Sequence, residues 1–241
     1  GENNTGVGKD ALTANTTGSS NTAVGSEALE SNTTGHSNAT LGYRSLESNT
    51  TGFNNVAVGY YALQANTGGD YNTAVGSMAL DASNGDYNSA FGYASLGANT
   101  TGASNSSFGA YSLDANTTGG QNAAFGNNTL GANTTGSKNT AVGRQALQDN
   151  TTADNNTGIG FQALYVNTTG TQNTAIGSQS LDANTTGNYN VAVGQATLGA
   201  NTTAEFNTAI GYAALTTNTT GTQNTAVGAY ALDANTTGVD N

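Results

Sequence analysis

The chain has no cysteine, no proline and no tryptophan, and only four basic side chains, Lys9, Arg44, Lys138 and Arg144. Each absence excludes something. Without cysteine there is no disulfide framework, no thiol chemistry and no Cys-based zinc site. Without clustered lysine or arginine, in a chain of formal net charge −11, a nucleic-acid backbone or an anionic membrane surface finds no counter-charge. Apolar runs last only a few residues, so no segment is long enough for a membrane-spanning helix. The absence of proline leaves every residue able to donate a backbone hydrogen bond. Charged residues make up 8% of the chain. A polar, low-charge composition of this kind often marks disorder, unless apolar residues recur at fixed positions.

They do recur. Asn4, Asn21, Asn38 and Asn55 open a series that runs to Asn241 in steps of 17, with one step of 16 between Asn72 and Asn88. The consensus is N-T-A-V-G-x-x-A-L-x-A-N-T-T-G-x-x. Counting places from the first Asn, place four is large and apolar, as at Val24, Phe108 and Ile176. Place nine is Leu in all fourteen repeats, among them Leu29, Leu63, Leu113, Leu147, Leu181 and Leu215. Place five is always Gly, as at Gly25, Gly59, Gly109, Gly143 and Gly194. Places three and eight are small.

A fixed period of this length defines a repeat architecture. Alternation with β-branched residues at places one to four and eight to eleven predicts two short strands per coil. The place-five Gly and the N-T-T-G stretch predict the corners, with the place-five Gly at positive φ or in a tight corner. The expected fold is all-β, a parallel β-solenoid of about fourteen coils spanning residues 1–241 as one repetitive domain. Strand alternation then sets places two, four, nine and eleven inward. Val24, Phe108, Ile176 and the leucines would form the core, and stacked Asn columns would hydrogen-bond along the coils. Places three and eight would be left as an outward strip of small residues. Such a strip lets backbones approach closely, so a parallel homo-oligomer or a filament is expected. The pattern starts and stops in mid-repeat and there is no initiator Met, which suggests a segment of a longer array.

N-T-A-V-G followed by a small residue and a returning turn, as at Asn21–Gly25 and Asn72–Gly76, resembles the head and stalk repeats of trimeric autotransporter adhesins. It is also similar to the shaft repeats of phage-type tail fibres. The resemblance extends over the whole chain. It implies a narrow β-roll, a homotrimer, a place outside the cell or on a cell or virion surface, and a passive structural or adhesive role.

Catalytic chemistry has little to work with. His36 is the single histidine and sits at a variable corner, without the close partners that catalysis or metal ligation needs. G-x-G at Gly6/Gly8 and Gly158/Gly160 lacks the third glycine and the helix of a dinucleotide site. No enzyme and no cofactor is expected. Carboxylates stack at place ten, with Glu30 and Glu47 in adjacent coils. That column could take calcium, or it could simply be a solvated acidic face. Corner tyrosines Tyr43, Tyr60, Tyr61, Tyr93, Tyr111, Tyr212 and Tyr230 are the candidate surface contacts. They could stack on a glycan or cell surface as in an adhesin head, or shield strand edges and join chains. N-T-T is an N-glycosylation acceptor pattern at Asn32, Asn150 and their copies, and equally a turn sequence. A third reading is an ice-binding solenoid. It needs a regular outward threonine grid, whereas the place-two threonines are expected inward.

Overall fold

The computed structural model describes all residues, 1–241, and the chain forms two compact units, Gly1–Gln121 and Asn122–Asn241. Both are all-β and built from the same coil. In the first unit the strands are β1 (Thr5–Val7), β2 (Thr22–Val24), β3 (Ala39–Leu41), β4 (Val56–Val58), β5 (Thr73–Val75), β6 (Ser89–Phe91) and β7 (Ser106–Phe108). In the second they are β8 (Ala123–Phe125), β9 (Thr140–Val142), β10 (Thr157–Ile159), β11 (Thr174–Ile176), β12 (Val191–Val193), β13 (Thr208–Ile210) and β14 (Thr225–Val227). Within each unit successive strands pair parallel and in register, so each place lies against the same place of the next coil. Thr22 pairs with Ala39 and Val24 with Leu41 in the first unit, and Thr157 with Thr174 and Ile159 with Ile176 in the second. This is the expected parallel β-solenoid.

Two features of the coil differ from expectation, for one physical reason each. The first is strand phase. Places two and four face outward, and places one and three face inward. Ala57, Ala141 and Ala175 at place three are fully buried, whereas Ile176 at place four keeps 38% of its surface exposed. Val24 and Phe108 are half-exposed in the same column. The three place-four residues assigned to the core are therefore outside it. Alternation holds, but the apolar column is on the solvent side, because the interior is claimed by Asn at place one.

The second difference is that the coil has one strand, not two. Places eight to eleven are turn. Places seven and nine sit in the left-handed region, Glu27 at φ 59° and Leu29 at φ 51°, Gln145 at φ 60° and Leu147 at φ 51°. These residues break the alternation, so two consecutive side chains, Ala28 and Leu29 or Ala146 and Leu147, both enter the core. A leucine at positive φ costs about 1–2 kcal/mol; burying it fully returns about 1.5–3 kcal/mol. The bent stretch still bonds along the stack. Leu29 N–H donates to Ser45 C=O at 3.1 Å and Ser31 N–H to Glu47 C=O at 3.0 Å.

Expectation and structure agree on the leucines, the glycines and the asparagines. Leu29, Leu63, Leu113, Leu147, Leu181 and Leu215 are fully buried. Place-five glycines have φ between 120° and 147°. A Cβ there would lie 2.2 Å from the next carbonyl oxygen at Gly25 and 2.7 Å at Gly143. Two asparagine columns run through the interior. At place twelve, Asn49 Nδ2 donates to Asn32 Oδ1 of the preceding coil at 2.8 Å. At place one, Asn38 N–H donates to Asn21 Oδ1 at 3.0 Å. Both columns converge on one acceptor per coil: Gly52 C=O receives Asn38 Nδ2 at 2.9 Å and Asn49 Nδ2 at 3.0 Å.

The single shortened coil shows how a missing residue is accommodated. Ser83 replaces the place-twelve asparagine and accepts from Asn99 Nδ2 at 3.1 Å. Asn84 Oδ1 accepts from Thr67 N–H at 2.7 Å. Elsewhere a place-thirteen backbone carbonyl does this, as when Thr50 N–H donates to Thr67 C=O. A side-chain amide thus fills the gap in the ladder.

Two outcomes follow for stability. Leu147→Asp places an unpaired charge in the core and should cost at least about 4 kcal/mol. Ile176→Asp, on the outward column, should cost no more than about 1–2 kcal/mol. Chemical denaturation of both variants checks the phase, and equal losses would invert it again. Gly143→Val forces a β-branched residue to positive φ and into the Gly160 carbonyl, a loss of about 3 kcal/mol or more. Ala153→Gly should cost less than about 1 kcal/mol, since glycine is the usual residue at place fifteen. Melting temperatures rank the two.

Candidate interaction surfaces

The outward strand face is the most regular surface of the chain. Places two and four lie on the same side of each strand. Neither place carries a charged residue in any repeat, although the chain has fifteen Asp and Glu. In the first unit this face is uneven: β1, β2, β4 and β5 carry only Thr and Val there, whereas β3 carries Ala39 and Leu41, and β6 and β7 carry Ser beside Phe91 and Phe108. Leu41 is 53% exposed. The Phe91 and Phe108 rings stack at 4.6 Å with planes 6° apart. In the second unit β9–β14 carry only Thr and Val at place two and only Val and Ile at place four. The place-two threonines were expected inside, and their exposure follows from the corrected strand phase. The signal available in the sequence was the invariant Asn one place earlier, which fixes the inward side.

The seven candidate tyrosines lie at the surface but not together. Tyr43, Tyr60 and Tyr61 form one cluster, with Tyr60 and Tyr61 ring centroids 4.0 Å apart and Tyr43 5.6 Å from Tyr60. Tyr93 pairs edge-on with Tyr111 at 5.2 Å, and Tyr212 with Tyr230 at 5.2 Å. A further row at places sixteen and seventeen is stacked coil on coil: His36 on Phe53 at 4.9 Å, and Tyr71 on Tyr87 at 5.0 Å with planes 4° apart. Tyr189 and Phe206 repeat the arrangement at 4.9 Å. Rings stacked along the ladder spend their faces on one another. Ladder stacking thus stabilises neighbouring coils first.

Next to the Tyr43 cluster lies the densest group of charges. Glu27, Glu30 and Glu47 bring carboxylate oxygens within 4.8 Å of one another. Arg44 is built into the group: its Nε donates to Glu27, lies 3.7 Å from Glu47, and its guanidinium sits 5.2 Å from the Tyr43 ring centroid. Gln64 Nε2 also donates to Glu47, at 2.7 Å. The Glu27 contact holds the guanidinium protonated well beyond its ordinary range.

The acceptor asparagines are interior. Asn32, Asn49, Asn150 and Asn167 are fully buried, and Asn150 Nδ2, the atom a glycan would occupy, already donates to Asn133 Oδ1 at 2.9 Å and to Ala153 C=O at 3.1 Å. The turn reading of N-T-T therefore prevails at these positions. The place-thirteen threonines are spent too, Thr33 Oγ1 donating to Thr50 C=O at 3.0 Å.

Comparison with protein-family models, with curated proteins and with solved structures gave no match.

Half-burial pushes the carboxyls of Asp81, Asp114 and Asp182 at place ten above the usual value of 3.8, against smaller opposing backbone hydrogen bonds. The folded state therefore holds their protons more tightly than the unfolded chain. Stability from these groups is greatest at low pH and falls as pH rises from about 3.8 through the raised folded values. Asp182→Asn should raise the melting temperature at neutral pH, and the gain should vanish below pH 3.8. Melting curves across that range check the sign.

Proposed function

We propose that this chain is a non-catalytic structural segment of an extracellular or surface fibre, with a passive adhesive role. The observation that carries the reading is the coil itself. Each coil lies in register against a neighbour of the same pattern, and the interior is filled by leucine, small residues and bonded asparagine. Its chemically active side chains are used for structure: His36 stacks on Phe53, and the Glu27–Glu47 group is bridged by Arg44. The likeness of N-T-A-V-G to adhesin and tail-fibre repeats supports the same role.

Self-association belongs to this reading, on a different surface from the one the sequence suggested. The small residues of places three and eight are core, so the strip between copies is the outward face of β1–β7, with Leu41, Val56 and Phe91. A second copy carries the same period and so meets this face coil for coil. An uncharged strip in an acidic chain is also where like-charge repulsion between copies is least. The assembly is a parallel homo-oligomer, and a trimer is what the resemblance implies. Sedimentation velocity and native mass spectrometry test it. The chain should run as an oligomer, and Leu41→Asp should lower its mass while leaving the chain folded by circular dichroism. A folded chain that stays monomeric at all concentrations would overturn self-association.

A further inference from the structure

The two threonine columns of this chain are chemically different. Place-thirteen threonines donate their hydroxyls to the next coil, as Thr151 does to Thr168 C=O and Thr168 to Thr185 C=O. At place two, Thr140, Thr157, Thr174, Thr208 and Thr225 engage the next coil through the backbone N–H, as Thr157 does with Asn173 C=O at 2.8 Å, and not through the hydroxyl, and their side chains are half-buried or exposed. They point outward beside a second column of Val and Ile that runs from Val142 to Val227. Ile159, Ile176 and Ile210 in that column expose 36%, 38% and 41% of their surface.

We infer that the outward face of β9–β14 is an ice-binding surface, one that adsorbs to the ordered water lattice of ice. All twelve outward positions of these strands are Thr, Val or Ile. Val191, the one place-two residue without a hydroxyl, keeps the threonine shape. β-Branched side chains are stiff at χ1, so the methyls and hydroxyls repeat with little freedom. The in-register ladder sets the spacing at about 4.8 Å between coils and roughly 6.6–7 Å between the two columns. That is the scale on which ice repeats its ranks of oxygen. Methyl groups order first-layer water, and each outward hydroxyl anchors a water by a hydrogen bond. A rigid, uncharged grid holds that layer in a repeating pattern, which a growing crystal can incorporate.

Other ligands fit this face less well. A soluble glycan asks for exposed ring faces, and β9–β14 carry no aromatic residue on this face. A second copy is better served by the larger side chains of β3, β6 and β7, Leu41, Phe91 and Phe108. The inference names a ligand for the passive adhesive role but does not depend on self-association.

The test uses the full chain. Thermal hysteresis and inhibition of ice recrystallisation are measured on the folded protein, with circular dichroism, melting temperature and native mass recorded alongside. The wild-type chain should slow and reshape growing ice. Thr157→Tyr and Ile176→Tyr, which roughen the grid without touching the core, should each lower activity about tenfold, equal to roughly 1.4 kcal/mol of adsorption free energy. Ser178→Tyr, at a corner place where Phe161 and Tyr212 already occur, should leave it unchanged. A folded wild-type chain without effect on ice would overturn the inference. So would equal losses in Ser178→Tyr, or an oligomer that Thr157→Tyr dissociates and that leaves ice unaffected. Ice activity in a chain that stays monomeric would uphold the inference while removing self-association.

Discussion

The paired asparagine columns are the constraint on which the rest of the coil depends. A buried amide must have its donors and acceptors met, and here Asn38 and Asn49 meet theirs from the preceding coil and from Gly52 of their own. That arrangement works only if every coil repeats in register, since a slip of one residue would strand both amides at once. It also fixes the inward side of the strand at place one. Place three follows inward, and places two and four are driven out. The exposed apolar column is thus a consequence of a polar interior.

Much of this was legible in the sequence. The period, the coil, the buried place-nine leucines and the positive-φ glycines were all readable, because each rests on a residue type that is invariant down the column. Strand phase was misread through the usual rule that apolar residues face inward, which put Val24, Phe108 and Ile176 in the core. Asparagine at the neighbouring place was read as a stabilising column without being given the interior. The second strand was misread because period-two alternation assumes extended backbone, and Leu29 at φ 51° has no such backbone. Leucine is an unusual tenant of the left-handed region, so nothing in its identity announced the bend. The candidate tyrosines were correctly placed at the surface, but their mutual stacking depends on corner geometry that spacing alone does not supply.

The surfaces divide according to the same logic. Corner places six, seven, sixteen and seventeen take aromatic and charged residues freely, because their side chains project from turns and meet mainly their copies and close neighbours. The Glu27–Arg44–Glu47 group and the Tyr71–Tyr87 stack are local solutions of this kind. The strand face is more restricted. It admits no charge anywhere, and from β9 to β14 it is uniformly β-branched.

The shortened coil has a consequence for how such an array can change over generations. Because each place pairs with the same place of its neighbour, loss or gain of a whole repeat by slippage of repetitive DNA leaves every ladder with its proper partners. The number of coils is therefore free to drift, and length becomes a heritable variable that selection can tune cheaply. Loss of a single codon is another matter: at Ser83–Asn84 it survives because two side chains stand in for what the backbone and the place-twelve asparagine supply elsewhere. Natural variants of this chain should then differ in steps of 17 residues, with off-step lengths confined to coils where a compensating pair has already arisen.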